Sequence, residues 1–571
     1  MATLSPESAA SAVTKVRKTY ISAYAIGLVT VVMSLALLCF VGVYGRNVPY
    51  LDDWDIVPAL TGHQAITFQW LWSQHNEHRL VLPRLLLIGL YRLSGCDFRA
   101  GMVFNAALLI LMTTLMLHAA AKIRGKLGLT DAFIPLLFLG WAHYDNLLWS
   151  WQVGFVSAIL LAILALHALS RSNTPGRLSA LYMGILVCAL PLTGAVGLAF
   201  AAPLSVWMIA VAWLYRRQDI RATTTYAIGG LLGALLIGLY FIGYQNAAIQ
   251  PPNSLRQWLS GSIDFLSMGL APLGRIGAEN IAGISIRELV GYAMAAILLA
   301  GILANLFARP SRSEIIRALG LAAMIAGEFL LALCVAWGRG GQCLMPRYVT
   351  LGAPGLMALY LSTLIRPRST LGFSLRIALL LLEVLIAWPN MTIARAIAQD
   401  RLDNKIFPFE RDLQAGLPPM VLADHYSQPP RALYPRPRRD DLAADIRMLK
   451  QKGIGLFRKV EDDPAYRAIN ISPDGAAWYS AGQRQYVYAI EVTYQYLAHS
   501  PGQLWAIFRL AWLPPGTPES QARQYATPLP LDGRNDRILV WINEPLGRFH
   551  ISPDDGNAQC RIGDVHLLVK P

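Results

Sequence analysis

The chain has 571 residues, 55% of them hydrophobic and only 15% charged, with a mean hydropathy of +0.41, against about 25% charged residues in an ordinary globular protein. This balance excludes a wholly water-soluble protein, because the apolar residues fall in runs near the roughly 20 residues a helix needs to cross a bilayer. The net charge of +14 does not mark a nucleic-acid binder: from Thr392 onward there are 22 basic and 20 acidic residues, so the excess lies in the apolar part, where Lys and Arg between spans set membrane orientation.

Lys15, Arg17 and Lys18 precede a first apolar run at 23–44, too long for a cleaved signal and read as an uncleaved span. Further spans are expected at 100–121, 131–147, 150–169, 177–192, 195–215, 223–244, 287–308, 315–337, 347–365 and 373–389, eleven in all. Basic clusters at Lys122/Arg124/Lys126, Arg171/Arg177, Arg216/Arg217/Arg221, Arg309/Arg312/Arg317 and Arg366/Arg368/Arg376 recur at every second loop, which puts these loops and the N-terminus in the cytoplasm. Leu80 to Leu93 is short and contains Pro83, Arg84 and Arg92; it reads as a juxtamembrane or re-entrant helix on the outer face. Two long outer loops follow from this topology, Arg46 to about Arg79 and Gln245 to about Ile286, the second opening on Gln250-Pro251-Pro252. Gly229, Gly230, Gly233 and Gly238 fit small-residue helix packing.

After Thr392 the pattern changes. Alternation at Tyr486–Tyr494 and apolar runs at Leu504–Leu513, Ile538–Ile542 and Gly563–Val569 predict strands, separated by turns at Pro473-Asp474-Gly475 and Pro553-Asp554-Asp555-Gly556. A helix is expected near Leu442–Gln451. The expected architecture is an α-helical polytopic membrane protein over residues 1–391, with about eleven transmembrane helices plus juxtamembrane helices, and an extracytoplasmic domain over 392–571 made of a linker and a β-sandwich-like module. The six cysteines, Cys39, Cys96, Cys188, Cys334, Cys343 and Cys560, form no CxxC pair and read as small apolar residues.

Four segments carry groups suited to chemistry. Asp52, Asp53 and Asp55 follow the first span closely, and clustered carboxylates suit a general base or a cation site. His75, Glu77, His78 and Arg79 precede the juxtamembrane helix; they lack the H-E-x-x-H order of a metalloprotease and suit substrate binding, orientation of a base or capping of that helix. Asp145, Asn146 and Gln152 flank Trp149 and Trp151, which read as interfacial belt aromatics; the three polar side chains are expected to line a sugar-sized pocket. Arg339, Arg347 and Tyr348, with Gly338, Gly340 and Gly341 nearby, run against the positive-inside trend and are placed to clamp a phosphate. Glu328 and Glu383 lie inside spans and are given no role.

The Asp-Asp-Trp segment, the juxtamembrane helix after it, Asn-Glu-His-Arg, Asn-Leu-Leu-Trp-x-x-Gln and the late Arg-Tyr together resemble the GT-C glycosyltransferases, near bacterial members that modify lipopolysaccharide and other glycans. The resemblance implies an enzyme of the bacterial inner membrane, N-terminus cytoplasmic and C-terminal domain periplasmic. Such an enzyme moves a sugar from a polyprenyl-phosphate carrier to a glycan or lipid-linked acceptor, with inversion. It maps the general base onto Asp52 or Asp53 and lipid-phosphate binding onto Arg339, Arg347 and Tyr348, and it implies no cofactor and no resident metal, with a divalent cation left open. The chain departs from mannosyltransferase relatives in carrying Asp-Asp for Asp-Glu and His-Asn-Glu-His-Arg for His-Pro-Pro. The competing readings are an O-antigen polymerase or ligase, expected to use a large central loop, a transporter or flippase of lipid-linked glycans, expected to show inverted repeats, and a sensor or scaffold whose C-terminal β domain binds glycan without catalysis.

Overall fold

The computed structural model describes residues 6–171, 176–245, 251–270, 280–281, 284–307, 312–340, 343–365, 369–427, 431–434, 439–457, 465–470, 478–499, 505–530, 535–552 and 558–569. Gln250, Arg309, Arg366, Arg368, Gly341, Gln342 and the two expected turns at 473–475 and 553–556 lie outside the described residues. The chain divides into two compact units, Met1–Leu402 and Asp403–Pro571.

Among the described residues of the first unit, nine helices are long and apolar enough to cross a membrane: Ile21–Tyr44, Arg99–Arg124, Ser150–Arg171, Ala195–Tyr215, Ile220–Phe241, Arg287–Phe307, Glu314–Arg339, Pro346–Ile365 and one beginning at Thr370. The chain is a multi-pass membrane protein. Two of the eleven expected spans take other forms. Residues 177–192 form a shorter apolar helix, Arg177–Thr193. Residues 131–147 are broken: helix Phe133–Leu139 stops at Gly140, whose backbone is extended, and a single turn, Tyr144–Leu147, follows. The polar residues of this stretch explain the break, since the buried His143 bridges the Leu137 carbonyl and Thr350 Oγ1, each at 2.8 Å.

The first unit also ends later than the expected boundary at 391. The last helix runs through Pro389 to Arg401, because Ala394 and Ala398 extend its buried face by another turn. The helix expected at Leu80–Leu93 is present as Val81–Leu93, 13 residues long. Its Arg84 stacks on the Trp70 ring at 4.8 Å and donates to the Trp70 carbonyl and to Ser73 Oγ at 2.9 Å, which satisfies a cation in an apolar helix.

Close helix contacts follow the small residues. A Cβ at Gly229 would lie 3.0 Å from Gly184 Cα, and one at Gly233 would lie 2.5 Å from both Ser205 Oγ and Val187 Cγ1, whereas Gly238 faces open space. Glu328, buried in its span, accepts from Gly355 N at 3.3 Å in the first turn of helix Ala353–Ile365, where a helix terminus favours a carboxylate.

In the second unit, helices Phe407–Gln414, Pro419–Tyr426 and Arg439–Lys452 precede six strands: β1 Ala465–Ile469, β2 Trp478–His499, β3 Trp505–Leu513, β4 Arg523–Pro530, β5 Asn535–Ser552 and β6 Ala558–Val569. They form one antiparallel sheet in the order β1-β6-β2-β5-β3-β4, not two separate sheets. The long strands explain how one sheet does the work of a sandwich. The C-terminal part of β2 pairs with β6 and the N-terminal part of β5, while the C-terminal part of β5 pairs with the start of β2 and with β3. Register shifts at Ser480/Gln485 and Val487/Ala489 bend β2 between these parts. Residues of both, among them Val492, Phe508, Val540, Phe549 and Leu567, share one buried core.

Candidate active site

Leu51 to Ile56 form a 3₁₀ turn, in which side chains three apart eclipse. Asp52 and Asp55 therefore share one edge and Asp53 points the other way. Asp53 is fully buried; its Oδ2 accepts from Tyr50 N at 3.2 Å and its Oδ1 from Trp151 N at 2.8 Å. It caps the turn and ties it to the start of the helix that follows Trp151. Burial pushes its carboxyl up to about 8 despite the two N–H bonds. Asp52 and Asp55 are 25% and 21% exposed and face one imidazole, with Asp52 Oδ2 3.9 Å from His75 Nε2 and Asp55 Oδ2 3.7 Å from His75 Nδ1.

His75 is positioned by a small ladder, Gln74 opposite Arg79 and His75 opposite His78. Asn76 makes the turn at φ +49°, a conformation that asparagine tolerates better than most residues. Arg79 closes the ladder as a structural tie. Its side chain donates to the carbonyls of Tyr240 at 2.9 Å, Trp72 at 2.8 Å and Ile242 at 2.8 Å, so its guanidinium is committed to backbone and not offered to a substrate.

His78 Nδ1 accepts from Ala195 N at 3.2 Å, at the start of helix Ala195–Tyr215. The approach needs glycine at 194, where φ is +114° and a Cβ would lie 3.0 Å from Leu80 and 3.4 Å from His78 Nδ1. Burial holds His78 down at about 4, so the imidazole is neutral at pH 7, and with Nδ1 accepting, the proton sits on Nε2, 3.5 Å from Glu77 Oε1. Glu77 Oε1 is ion-paired with Arg339, and Glu77 Oε2 is buried with no hydrogen bond among the described residues.

These two groups make opposite contributions to stability. Between pH 4 and 6.5 the unfolded chain protonates His78 before the folded chain does, so lowering the pH destabilises; Asp53 does the reverse between 3.8 and 8. The two slopes cancel between pH 4 and 6.5, and above 6.5 only Asp53 of this pair still titrates. Thermal melting in detergent is expected to show stability falling from pH 6.5 to 8, with about 2 kcal/mol of that loss from Asp53, and Asp53→Asn to make the loss smaller.

Trp149 and Trp151 are buried in the protein instead of facing lipid. The Trp151 ring lies 4.9 Å from His75, and Trp149 lies under the Arg347 guanidinium at 5.8 Å. Asn146 is structural: its Nδ2 donates to Arg347 O at 2.8 Å and Thr350 Oγ1 at 2.6 Å. Gln152 is buried where helix Val153–Arg171 begins, and Asp145 is half-buried near Arg401. The buried Tyr348 packs on Phe155 and Phe265, within the field of Arg339, Arg347 and Glu77. Arg347 stacks on Trp149 and Tyr348, and among the described residues no carboxylate pairs with it.

The structure thus gathers Asp52, Asp55, His75, Glu77, His78, Arg339, Arg347 and Tyr348, and assigns Asp53, Arg79 and Asn146 to the scaffold. It adds Arg401, which stands over the Tyr50 ring at 3.4 Å and near Asp53 and Asp145. The alanine-rich run Thr392–Asp400, a helix former at the end of an apolar span, is the signal that leads to it. Asp52, Asp55 and His75 also place ligand atoms within 4.8 Å of one another, a spacing that one divalent cation can bridge. Comparison of the chain with protein-family models, with curated proteins and with solved structures finds no match.

Proposed function

We propose that the chain is an integral-membrane glycosyltransferase of GT-C type that moves a sugar from a polyprenyl-phosphate carrier to a glycan or lipid-linked acceptor on the extracytoplasmic side of a bacterial inner membrane. The observation that carries this reading is the split between neighbouring carboxylates: Asp53 is fully buried and spent on two N–H groups, while Asp52 is a quarter exposed and stands beside His75. Asp52 is then the general base. It takes the acceptor hydroxyl proton as that oxygen attacks the anomeric carbon; the bond from that carbon to the phosphate oxygen breaks and the phosphate leaves with the electron pair, inverting the centre. Arg347, held by two aromatic faces, stabilises charge growing on the phosphate, with Arg339 anchored to Glu77 beside it. Glu77 Oε2 is a ready acceptor for a sugar hydroxyl.

The convergence of Asp52, Asp55 and His75 favours one second reading, a transferase in which these three hold a divalent cation. One experiment addresses both: the purified protein is assayed with a panel of radiolabelled polyprenyl-phosphate sugars, with and without chelator. Transfer that survives chelation supports the metal-free base, and transfer lost with chelator and restored by Mn²⁺ or Mg²⁺ supports the cation. A protein that consumes no donor, yet moves lipid-linked glycan across vesicles, is a transporter and overturns the proposal.

A further inference from the structure

The second unit carries a cleft of 610 Å³, inside the range of roughly 300–1,000 Å³ common for ligand sites. Strands β2, β5 and β6 build it, contributing Thr493, Tyr494 and Gln495, then Arg537, then Arg561 and Asp564. A bulge shapes it. The register between β6 and β2 shifts between Ile562 and Val565, and Thr493 Oγ1 holds the bulged residue at both backbone groups, accepting from Asp564 N at 2.6 Å and donating to Asp564 O at 3.0 Å. Glycine is required at 563, where a Cβ would lie 2.6 Å from the same oxygen. Bulges re-aim side chains; this one uses up the backbone of Asp564 and leaves the residue exposed in the cleft.

The charges in the cleft are unequally spent. Arg537 is compensated by Asp440 and by Glu491 at 3.4 Å. Arg561 and Asp564 are exposed, and among the described residues neither side chain has an ion pair or hydrogen bond, although both line one cleft. A ligand that satisfies both offers an anion to the guanidinium fork and hydroxyl donors to the carboxylate, and Gln495 can both donate and accept. That combination is the chemistry of an acidic sugar.

We propose that this cleft binds an acidic saccharide, one bearing a carboxylate or a phosphate, with Arg561 holding the anionic group and Asp564 accepting from hydroxyls. The proposal is independent of transfer chemistry in the first unit. It is tested by isothermal titration of the full-length protein in detergent with trigalacturonate, glucose 6-phosphate, uncharged maltotriose and inorganic phosphate. Saturable binding of trigalacturonate or of glucose 6-phosphate is expected, and whichever binds identifies the anionic group. Maltotriose and inorganic phosphate are expected to bind at least about tenfold more weakly. Arg561→Ala is expected to weaken binding about tenfold and Asp564→Asn about fivefold, with unchanged melting temperatures because both positions are exposed, and Asp52→Asn to leave binding intact. The proposal is overturned if neither acidic sugar binds saturably, if maltotriose or inorganic phosphate binds equally well, if Arg561→Ala has no effect, or if Asp52→Asn abolishes binding.

Discussion

Asp52→Asn is expected to lower sugar transfer by about 10³-fold, within the range for loss of a positioned general base, while its melting temperature stays near that of the parent. The side chain is a quarter exposed and stands 3.9 Å from His75 Nε2, so the amide keeps the shape of the side chain while losing its charge and its proton acceptor. Asp53→Ala is expected to behave in the opposite way. It leaves the N–H groups of Tyr50 and Trp151 buried without acceptors, a loss of about 2–5 kcal/mol for two orphaned donors. It therefore lowers yield and melting temperature, with transfer per folded molecule largely retained. Measuring activity and melting on both variants separates the roles. A folded Asp52→Asn protein with full activity, beside a folded but dead Asp53→Ala protein, would reverse the assignment.

Arg347→Ala is expected to reduce kcat/KM for the lipid-linked donor by about 10²- to 10³-fold, the loss typical of one preorganised contact to developing charge. Arg347→Lys is expected to recover little. The guanidinium is a planar group resting on Trp149 and Tyr348, and an ammonium neither stacks in this way nor offers the paired donors that match a phosphate. Arg339→Ala differs in kind, because it releases the Glu77 carboxylate from its ion pair; it is expected to impair folding as well as turnover. Steady-state kinetics with a polyprenyl-phosphate donor give the check, and an Arg347→Ala enzyme with unchanged kcat/KM would place the phosphate elsewhere.

Much of this was legible in the sequence, for physical reasons that differ by element. Long apolar helices announce themselves by length, and nine of the expected spans are present as such. Leu80 to Leu93 was readable as a non-spanning helix from Pro83 and Arg84, and the structure shows Arg84 satisfied by carbonyls. The stretch 131–147 misled because its apolar average hides His143 and Asn146, whose partners Thr350 and Arg347 are about 200 residues away. The same limit blurred the site. Three neighbouring aspartates look alike in one dimension, and only the eclipsing of Asp52 with Asp55 in a 3₁₀ turn separates the half-buried pair from the sealed Asp53. Arg79 reads as a substrate ligand because it belongs to a dense cluster of two histidines, a carboxylate and an arginine in five residues; its guanidinium instead goes to carbonyls of helix Ile220–Phe241 and its exit. In the second unit, one strand is readable from alternation and three from apolar runs, whereas a sheet that folds onto itself through register shifts in β2 leaves no local pattern.

The ties that assemble the site also impose an order on its biogenesis. Asp53 finds its partner 98 residues downstream, Arg79 finds Tyr240 161 residues downstream, and Glu77 finds Arg339 262 residues downstream. At about 5–20 residues per second, a ribosome delivers these partners over tens of seconds. A nascent chain therefore carries His75, Glu77 and His78 in its first long loop well before it can aim them. Arg79 in particular waits for two of its three carbonyls, those of Tyr240 and Ile242, until the helix ending at Phe241 has been made. A chain that stops short of that helix leaves the guanidinium with the Trp72 carbonyl alone of its three backbone acceptors.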